Sequence, residues 1–410
     1  MWMIQEKLLM MVSGFAISIF TARHLGPDGM GVIQYCLSVG MILVPLAQFG
    51  GNNLVFDRSG AKPESGKRLI NQSDQLRSLV FISLSTLAII AHVVTGFEHN
   101  SVLIMMLISC YFTAKDLYIS YFNSTLNSKV NAKAAAIGTI ISQALRMALT
   151  LITHYLPLFC LPYIVNTFIP YWIKRKKLGT YDSSERKRVI NRYSLYLISN
   201  GTPLAISSFF IVLYEKINSI VLAQYLSMEM VGLFNAAYLL ASVWLFFPLS
   251  IVTSVLADAF KIRNKSVRKI NKIRIAYLSI WITCIPLGLI FYFFPEEILF
   301  YTFGKDFIAA SGLLLVLYFS TVLSVVGTVS NRIIVNNGGY RYLMYKNILI
   351  GLLSIPIAFV LIKNYQLTGA AYSILTIQFL SSTLLNFWYK KESILSLQIS
   401  SFSARGYASK

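Results

Sequence analysis

Charged residues are scarce in this chain: they make up 13% of its 410 residues, whereas hydrophobic residues make up 56%. Soluble domains carry about a quarter charged residues, so this sequence has too little polar surface to cover a water-facing globule. A soluble enzyme, a disordered protein and a disulfide-stapled scaffold are therefore excluded. The composition predicts a membrane protein.

Cysteine and histidine are also few, with four of each. The cysteines lie inside apolar runs, where a thiol behaves as a small apolar side chain. The histidines show neither HxxxH nor HxH spacing, and no phosphate loop, catalytic triad or paired-carboxylate motif occurs. We therefore expect no disulfide, no metal site, no cofactor and no enzymatic activity.

Twelve apolar runs are long enough to cross a bilayer, which takes about 20 residues per helix. The first begins beside Met1 with no basic n-region and no cleavage site, so we expect a retained helix, not a signal peptide. The sequence predicts an all-α polytopic membrane protein. Its spans lie near 3–22, 31–55, 78–95, 102–122, 134–152, 158–173, 197–222, 232–256, 275–294, 309–330, 344–362 and 367–388.

The formal net charge is +20, from 36 Lys and Arg against 16 Asp and Glu. With the N-terminus in the cytoplasm, three basic residues fall inside spans and three in outside loops (Arg23, Lys305 and Lys363). All the others fall on the cytoplasmic side, so both termini are predicted to be cytoplasmic. The charge thus indicates topology, not nucleic-acid binding. The outside loops are too short for the external catalytic segment of a sugar polymerase.

Two segments half a chain apart, 21–46 and 222–249, resemble each other. Chance similarity between two apolar hairpins is the alternative to a true repeat. A repeat predicts two six-helix lobes of the same orientation, 1–175 and 197–390, with the substrate site between them. The matched pairs are Ala22 with Ala223, Leu25 with Leu226, Asp28 with Glu229 and Gly31 with Gly232.

Two charged segments lie outside these lobes. The linker, 176–196, contains Asp182-Ser183-Ser184-Glu185, which has the spacing of a capping box. It is either an interfacial helix on the anionic cytoplasmic leaflet or a solvated run of charge. The tail, 391–410, is predicted to be cytoplasmic.

Five ionisable residues lie at membrane depth, where each costs on the order of 2.5–3.5 kcal/mol on insertion scales. They are Lys115, Asp116, Arg146, Glu215 and Lys216. Adjacent residues point about 100° apart on a helix, so each needs a partner on another helix or a ligand. Their sum is net positive. They either line a path that favours anions or only position helices as an interhelical salt-bridge network.

Four motifs resemble those of Wzx-type O-antigen and polysaccharide flippases, within the multidrug/oligosaccharidyl-lipid/polysaccharide exporter superfamily. The most specific is Ala22-Arg23-His24-Leu25-Gly26-Pro27, followed by Gly31. The others are Tyr214-Glu215-Lys216-Ile217-Asn218, Phe303-Gly304-Lys305-Asp306-Phe307 with Ala309-Ala310, and Leu367-Thr368-Gly369-Ala370-Ala371. The chain departs from the family at Asn218, where the family often has Asp; Glu215, one turn earlier, is a substitute.

The resemblance implies two lobes in a MATE-like V around a central cavity, in the bacterial inner membrane. The implied substrate is an undecaprenyl-pyrophosphate-linked oligosaccharide, the O-antigen repeat unit. It would cross to the periplasmic leaflet by alternating access, without ATP and with H⁺ or Na⁺ as coupling ion. An O-antigen polymerase and chain-length complex is the implied protein partner. A drug/cation antiporter of the same superfamily and an O-antigen polymerase are the alternative functions.

Charge and resemblance together suggest roles for individual residues. We expect the pyrophosphate or acidic sugars to meet Lys115, Arg146 and Lys216. Arg23 would lie at the periplasmic mouth, with Arg58 and Arg332 at the cytoplasmic one. The candidates for ion coupling are Asp116, Glu215 and Asn218, and those for stacking on sugar rings are Tyr118, Tyr121 and Tyr214.

Overall fold

The computed structural model describes residues 2–179, 191–262, 267–389 and 398. Throughout these residues the secondary structure is helical, without a strand, which confirms the all-α prediction. The chain forms two compact units, residues 1–223 with 227–232, and residues 224–226 with 233–410. The predicted lobe boundaries stay predictions. Most of the predicted linker and tail lies outside the described residues.

The first unit is built mainly from eight helices and a short 3₁₀ turn at Leu156–Cys160. The helices are α1 (Trp2–Gln48), α2 (Gly51–Ala61), α3 (Pro63–Val94), α4 (Asn100–Lys115), α5 (Tyr118–Ser124), α6 (Ser128–Ile152), α7 (Leu161–Leu178) and α8 (Arg192–Tyr225).

The second unit takes most of α9 and all the later helices. These are α9 (Met228–Val243), α10 (Phe246–Phe260), α11 (Val267–Phe293), α12 (Pro295–Thr302), α13 (Ser311–Asn336), α14 (Tyr340–Phe379) and α15 (Leu385–Phe387). A 3₁₀ turn at Lys305–Ala310 precedes α13, and a π-helical turn at Leu380–Leu384 joins α14 to α15.

Nine helices of the described chain are long and apolar enough to cross a membrane, and α9 with α10, bent by 45°, would make a tenth. Two of the nine, Gly14–Gln48 and Tyr340–Leu384, continue through points where the sequence predicts a turn between spans. Each contains one non-helical residue at that point, Gly26 (φ 70°, ψ 177°) and Gln366 (φ 52°, ψ −128°). The protein is a multi-pass membrane protein, and the count of twelve spans stays a prediction.

The break in α1 follows directly from Gly26-Pro27. Glycine adopts a positive φ without steric cost, whereas other residues are strained there. Pro27 lacks an amide hydrogen and has the φ of a first helical residue. A Cβ on Gly26 would meet nothing within 4 Å, so backbone conformation, not crowding, requires glycine here.

Gly31 and Gly232, which the sequence repeat matches, contact each other within the first unit. A Cβ on Gly31 would lie 1.7 Å from the carbonyl oxygen of Met228, and a Cβ on Gly232 would lie 1.8 Å from that of Pro27. Met228 precedes Gly232 by four residues, and Pro27 precedes Gly31 by four residues. Each glycine therefore packs against the backbone one helical turn before the other glycine, and the contact is reciprocal. The start of α9 crosses the part of α1 that follows Gly26, with the two backbones in contact. Only glycine leaves room for this approach.

One apolar cluster in the core of the first unit lies mainly among α1, α3, α4 and the 3₁₀ turn. Cys36, Leu103, Met106, Phe81 and Phe159 are all buried there. Lipid tails are as apolar as these side chains, so close packing, more than escape from water, holds such helices together.

Hydrogen bonds between helices support the second unit. The indole Nε1 of Trp244 donates to Thr321 Oγ1 at 3.0 Å, and Thr321 donates to the carbonyl of Ala241 at 3.0 Å. The hydroxyls of Tyr277 and Ser330 lie 2.9 Å apart. Interhelical hydrogen bonds of this kind contribute about 0.6 kcal/mol each in membrane proteins.

Candidate functional site

Helix α4 ends inside the first unit at Lys115, and α5 begins at Tyr118. A helix end leaves its last carbonyl groups without helical partners. The guanidinium of Arg77 donates to the carbonyls of Ala114 and Lys115, at 3.3 and 3.0 Å, and to that of Ile70 at 3.2 Å. Because Arg77 is 0% exposed, it caps the broken helix from within the protein.

The two ionisable residues at this break each pair with a residue of another helix. Lys115 Nζ lies 3.0 Å from the carboxylate of Asp74 on α3, whose other oxygen is 3.5 Å from Arg77. Asp116 forms a buried ion pair with Lys174 on α7. The predicted need for partners on other helices is thus met by protein, and the network ties α3, α4 and α7 together.

One ion pair of this network, Asp116 with Lys174, lines a cavity of about 490 Å³ within the first unit. The rest of its polar lining is uncharged and consists of four carboxamides and four hydroxyls. The carboxamides are Gln48, Asn52, Asn131 and Asn166, and the hydroxyls are Thr113, Ser120, Thr139 and Thr167. Because the two charges oppose each other, this lining has no net charge.

Helical periodicity gives the cavity its long wall. Residues four positions apart lie on one face of a helix. The lining residues of α6 are at 131, 135 and 139, and those of α7 are at 166, 170 and 174, with Thr167 beside them. Eight residues of helix rise roughly 12 Å. The cavity therefore follows about two turns of each helix.

Hydrogen bonds fix the carboxamides on the opposite side. Ser120 Oγ donates to Asn52 Oδ1 at 3.1 Å, and Asn52 Nδ2 donates to Gln48 Oε1 at 3.0 Å. Gln48 Nε2 in turn donates to the carbonyl of Thr113 at 3.0 Å. A carboxamide has two donor hydrogens and two acceptor lone pairs, so each retains capacity for a ligand.

Arg146 lies on α6 but does not line this cavity. Its guanidinium donates to Ser18 Oγ at 3.1 Å and stands 4.7 Å over the ring of Tyr163. The residue is 9% exposed, and its Nε has no hydrogen-bond partner. Across the described residues no carboxylate forms an ion pair with it, so its positive charge is not neutralised.

Glu215 and Lys216 lie on α8, Glu215 exposed and Lys216 half-buried. Neither forms an ion pair with another residue that the structure describes. Asn218 is buried, and its Oδ1 has no hydrogen-bond partner. The cavity of the first unit does not include these three residues, and ion coupling through them stays a prediction.

The three cations assigned to the mouths of the path occupy different settings. The guanidinium of Arg58 stacks 3.7 Å over the ring of Tyr196 and donates to Ser65 at 3.4 Å. Arg23 is exposed and Arg332 is half-buried. Their roles stay predictions.

The tyrosines proposed for sugar stacking are also unequal. Tyr118 is 3% exposed, with its ring 5.7 Å from that of Tyr171, so protein covers it in this conformation. Tyr121 and Tyr214 are half-buried. Stacking on sugars stays a prediction for all three.

Three basic residues at the edges of predicted spans, Arg77, Lys174 and Lys346, are buried. Lys174 is inside because α7 continues to Leu178, past the predicted end of its span at 173. One local signal existed: Asp74 and Arg77 have the i, i+3 spacing of a helical pair. The other two burials have no such local signal.

The histidines lie in aromatic contacts of the first unit. His24 stacks on His154 with ring centroids 4.0 Å apart, and His92 Nε2 lies 2.8 Å from the hydroxyl of Tyr35. Across the described residues, no group of three or more His, Cys, Asp or Glu side chains could hold a metal ion.

The fold is similar to that of solved exporters. Lipid II flippase MurJ in an inward closed conformation matches with a TM-score of 0.71 at 14% identity, covering 98% of this chain and 90% of that chain. An inward-facing multidrug resistance MATE family transporter of the MOP superfamily matches with a TM-score of 0.56 at 15% identity, covering 95% and 94%. An outward-facing one matches with a TM-score of 0.51 at 16% identity, covering 97% and 96%. At such identities the likeness shows the fold alone.

No protein with a curated description matches the sequence. The model of the family described as "Polysaccharide biosynthesis protein" matches residues 1–260, which is more than half of the chain. The resemblance noted in the sequence is thereby confirmed at the level of the family. This chain belongs to the polysaccharide biosynthesis protein family.

Proposed function

We propose that the protein is a flippase for an undecaprenyl-pyrophosphate-linked oligosaccharide, the O-antigen repeat unit. It moves this lipid from the cytoplasmic to the periplasmic leaflet of the bacterial inner membrane by alternating access. It uses no ATP and makes or breaks no covalent bond. Family membership and a fold like that of a lipid II flippase support this proposal.

The observation that carries the proposal is the polar cavity of the first unit. Polar side chains at membrane depth cost free energy unless they are hydrogen-bonded or meet a polar ligand. Eight carboxamide and hydroxyl side chains can donate to and accept from sugar hydroxyls. The volume of about 490 Å³ falls within the roughly 300–1,000 Å³ of ligand sites. Such a wall lets a glycan leave water while keeping hydrogen bonds.

The pyrophosphate needs a cation that is not already neutralised. Lys115 is paired with Asp74, whereas Arg146 has no acid partner among the described residues and keeps a free Nε. A guanidinium binds phosphate oxygens in two parallel hydrogen bonds, which an ammonium cannot do. Arg146 is therefore our first choice for the pyrophosphate, with Lys216 as the second.

The remaining predictions join this proposal. Twelve spans with both termini in the cytoplasm place most of the basic residues on the side where the lipid-linked repeat is made. H⁺ or Na⁺ supplies the driving force, with Asp116, Glu215 and Asn218 as the coupling candidates. A polymerase and chain-length complex receives the product.

A drug or cation antiporter is the second candidate, because the fold is also that of MATE transporters. A cationic substrate favours an unpaired acid in its path. In the cavity of the first unit the carboxylate of Asp116 is already paired with Lys174. The neutral, hydroxyl-rich lining favours the glycan.

Deleting the gene in the parent bacterium tests the function. We expect surface polysaccharide to be lost and single lipid-linked repeats to accumulate at the cytoplasmic face. Repeats that still reach the periplasmic face but stay unpolymerised would instead identify a polymerase.

A matched pair of variants tests the cavity. Asn52→Leu removes a lining carboxamide, and Asn53→Leu changes its exposed neighbour outside the cavity. Losing one or two hydrogen bonds to the glycan predicts about tenfold slower translocation for Asn52→Leu. The assay is translocation of a labelled polyprenyl-pyrophosphate oligosaccharide in proteoliposomes. Equal translocation rates for the two variants would show that the cavity does not lie on the translocation path.

A further inference from the structure

Lys346 is a buried lysine that plays no part in the proposed path. It lies in the second turn of α14 in the second unit and is 3% exposed. Its Nζ donates to Asn331 Oδ1 at 2.7 Å, to Asn386 Oδ1 at 3.0 Å and to the carbonyl of Ser381 at 3.1 Å. An ammonium has three donor hydrogens, and all three are used.

The three oxygens are oriented toward the ammonium by the surrounding structure. The other end of the Asn386 carboxamide, Nδ2, donates to the carbonyl of Ser382 at 2.7 Å, so its Oδ1 must point to the lysine. Ser381 lies in the π-helical turn, where the usual i→i+4 hydrogen-bond pattern is interrupted. The three acceptors therefore come from two well-separated parts of the chain: α13, and the π-helical turn together with α15.

Among the described residues, all partners of this ammonium are neutral. The break between α4 and α5 in the first unit is different. Each buried cation there has a carboxylate within 4 Å; these cations are Lys115, Lys174 and Arg77. No carboxylate of the described chain pairs with Lys346. A buried charge without a counter-ion is costly, so the dipoles of the three oxygens must compensate for it.

A cage of neutral oxygens selects for one class of ion. Divalent cations prefer carboxylate ligands, whereas carbonyl oxygens replace the hydration shell of a monovalent ion in potassium channels. The distances of 2.7–3.1 Å are those of N–H···O hydrogen bonds. The size and charge of the cage thus match an ammonium group.

We propose that Asn331, Ser381 and Asn386 form a monovalent-cation site for a primary ammonium group, and that Lys346 is its built-in occupant. From the start of α14, the lysine crosslinks α13, the π-helical turn and α15, as a bound ion would. The second unit therefore needs no dissolved cation at this position. The inference is independent of the transported substrate.

Chemical rescue tests the site in the full-length protein. Lys346→Ala removes three carbons and the ammonium, which n-propylammonium replaces. We expect Lys346→Ala to lower the thermal unfolding midpoint by several degrees. Added n-propylammonium should raise that midpoint in a concentration-dependent way, because a ligand that binds only the folded state stabilises it. Wild-type protein, whose site is filled, should not respond.

Two controls decide the outcome. Tetramethylammonium at equal concentration has no N–H donor and should give no rescue. Lys346→Met keeps an unbranched side chain without charge. It fills the space that Lys346→Ala leaves empty, so it should lower the midpoint by less than Lys346→Ala does and be insensitive to n-propylammonium. It therefore also serves if Lys346→Ala fails to accumulate. A wild-type midpoint for Lys346→Met, or equal responses of Lys346→Ala to the two ammonium salts, would overturn the site.

Discussion

Replacing one partner of the ion pair between Asp116 and Lys174 should destabilise the protein more than replacing both. The two side chains are 12% and 3% exposed, so water screens the pair little. Removing one partner of a buried pair leaves an uncompensated charge and costs about 3–5 kcal/mol, whereas replacing both by neutral groups is often neutral. We therefore expect Asp116→Asn and Lys174→Met to be unstable singly and to rescue each other.

The measurement is equilibrium unfolding of the four proteins of the double-mutant cycle in mixed detergent micelles. Because the double variant should lose less than either single variant, the coupling free energy should be at least ~3 kcal/mol. This is several times the roughly 0.3–0.5 kcal/mol within which independent sites add. Asp258→Asn is the matched control. It breaks the ion pairs of Asp258 with Lys261 and Lys272, and because the Asp258 side chain is 56% exposed, it should change stability by less than about 1 kcal/mol.

Two results would refute this reasoning. If either single variant unfolds like the wild type, the carboxylate and ammonium are solvated and the cavity wall is not sealed around them. If the double variant is as unstable as the worse single variant, the pair contributes packing and not charge compensation.

Three further predictions follow from other parts of the first unit. Gly31→Ala and Gly232→Ala should each abolish folded protein in detergent extracts, because the added Cβ would lie 1.7 or 1.8 Å from a backbone carbonyl oxygen. Gly60→Ala, whose Cβ meets nothing within 4 Å, should instead be neutral or stabilise the protein by up to about 1 kcal/mol. If all three variants lost the same amount of folded protein, the close contact between Gly31 and Gly232 would be contradicted. Arg77→Lys should cost about 2–3 kcal/mol in unfolding experiments, because one ammonium cannot reach the three carbonyls that the guanidinium joins; wild-type stability would show that α4 needs no such cap. Arg146→Gln should slow translocation of lipid-linked glycan at least about tenfold in proteoliposomes, with Arg146→Lys in between, and a larger loss for the lysine variant would exclude phosphate binding.

The helices and the family could be predicted from the sequence because both depend on local patterns. Runs of about 20 apolar residues mark spans wherever they occur, and the motif from Ala22 to Pro27 contains the glycine and proline that break α1. The match of Gly31 with Gly232 was visible as a repeat. Their mutual contact was not, because register at a crossing depends on how two distant helices pack.

The pairing of charges could be predicted only in part. The angle between neighbours on a helix shows that Lys115 and Asp116 need partners elsewhere, and they have them. The identity of those partners escaped prediction because Lys174 lies beyond the end of its hydropathic run. Hydropathy assigns a charge at a span end to water, whereas the length of the packed helix decides whether it is buried. The burial of Lys346 was missed because its acceptors, Asn331, Ser381 and Asn386, lie far from it in the sequence.

The reciprocal crossing of Gly31 and Gly232 has a consequence for biosynthesis. The first unit is completed by residues 227–232, which the ribosome adds about 200 residues after the glycine they contact. At roughly 5–20 residues per second this delay lasts about 10–40 s. During that interval the backbone at Gly31 lacks the segment that will pack against it. The N-terminal half of this protein therefore cannot reach its final packing by itself, and its assembly is timed by synthesis of the other half.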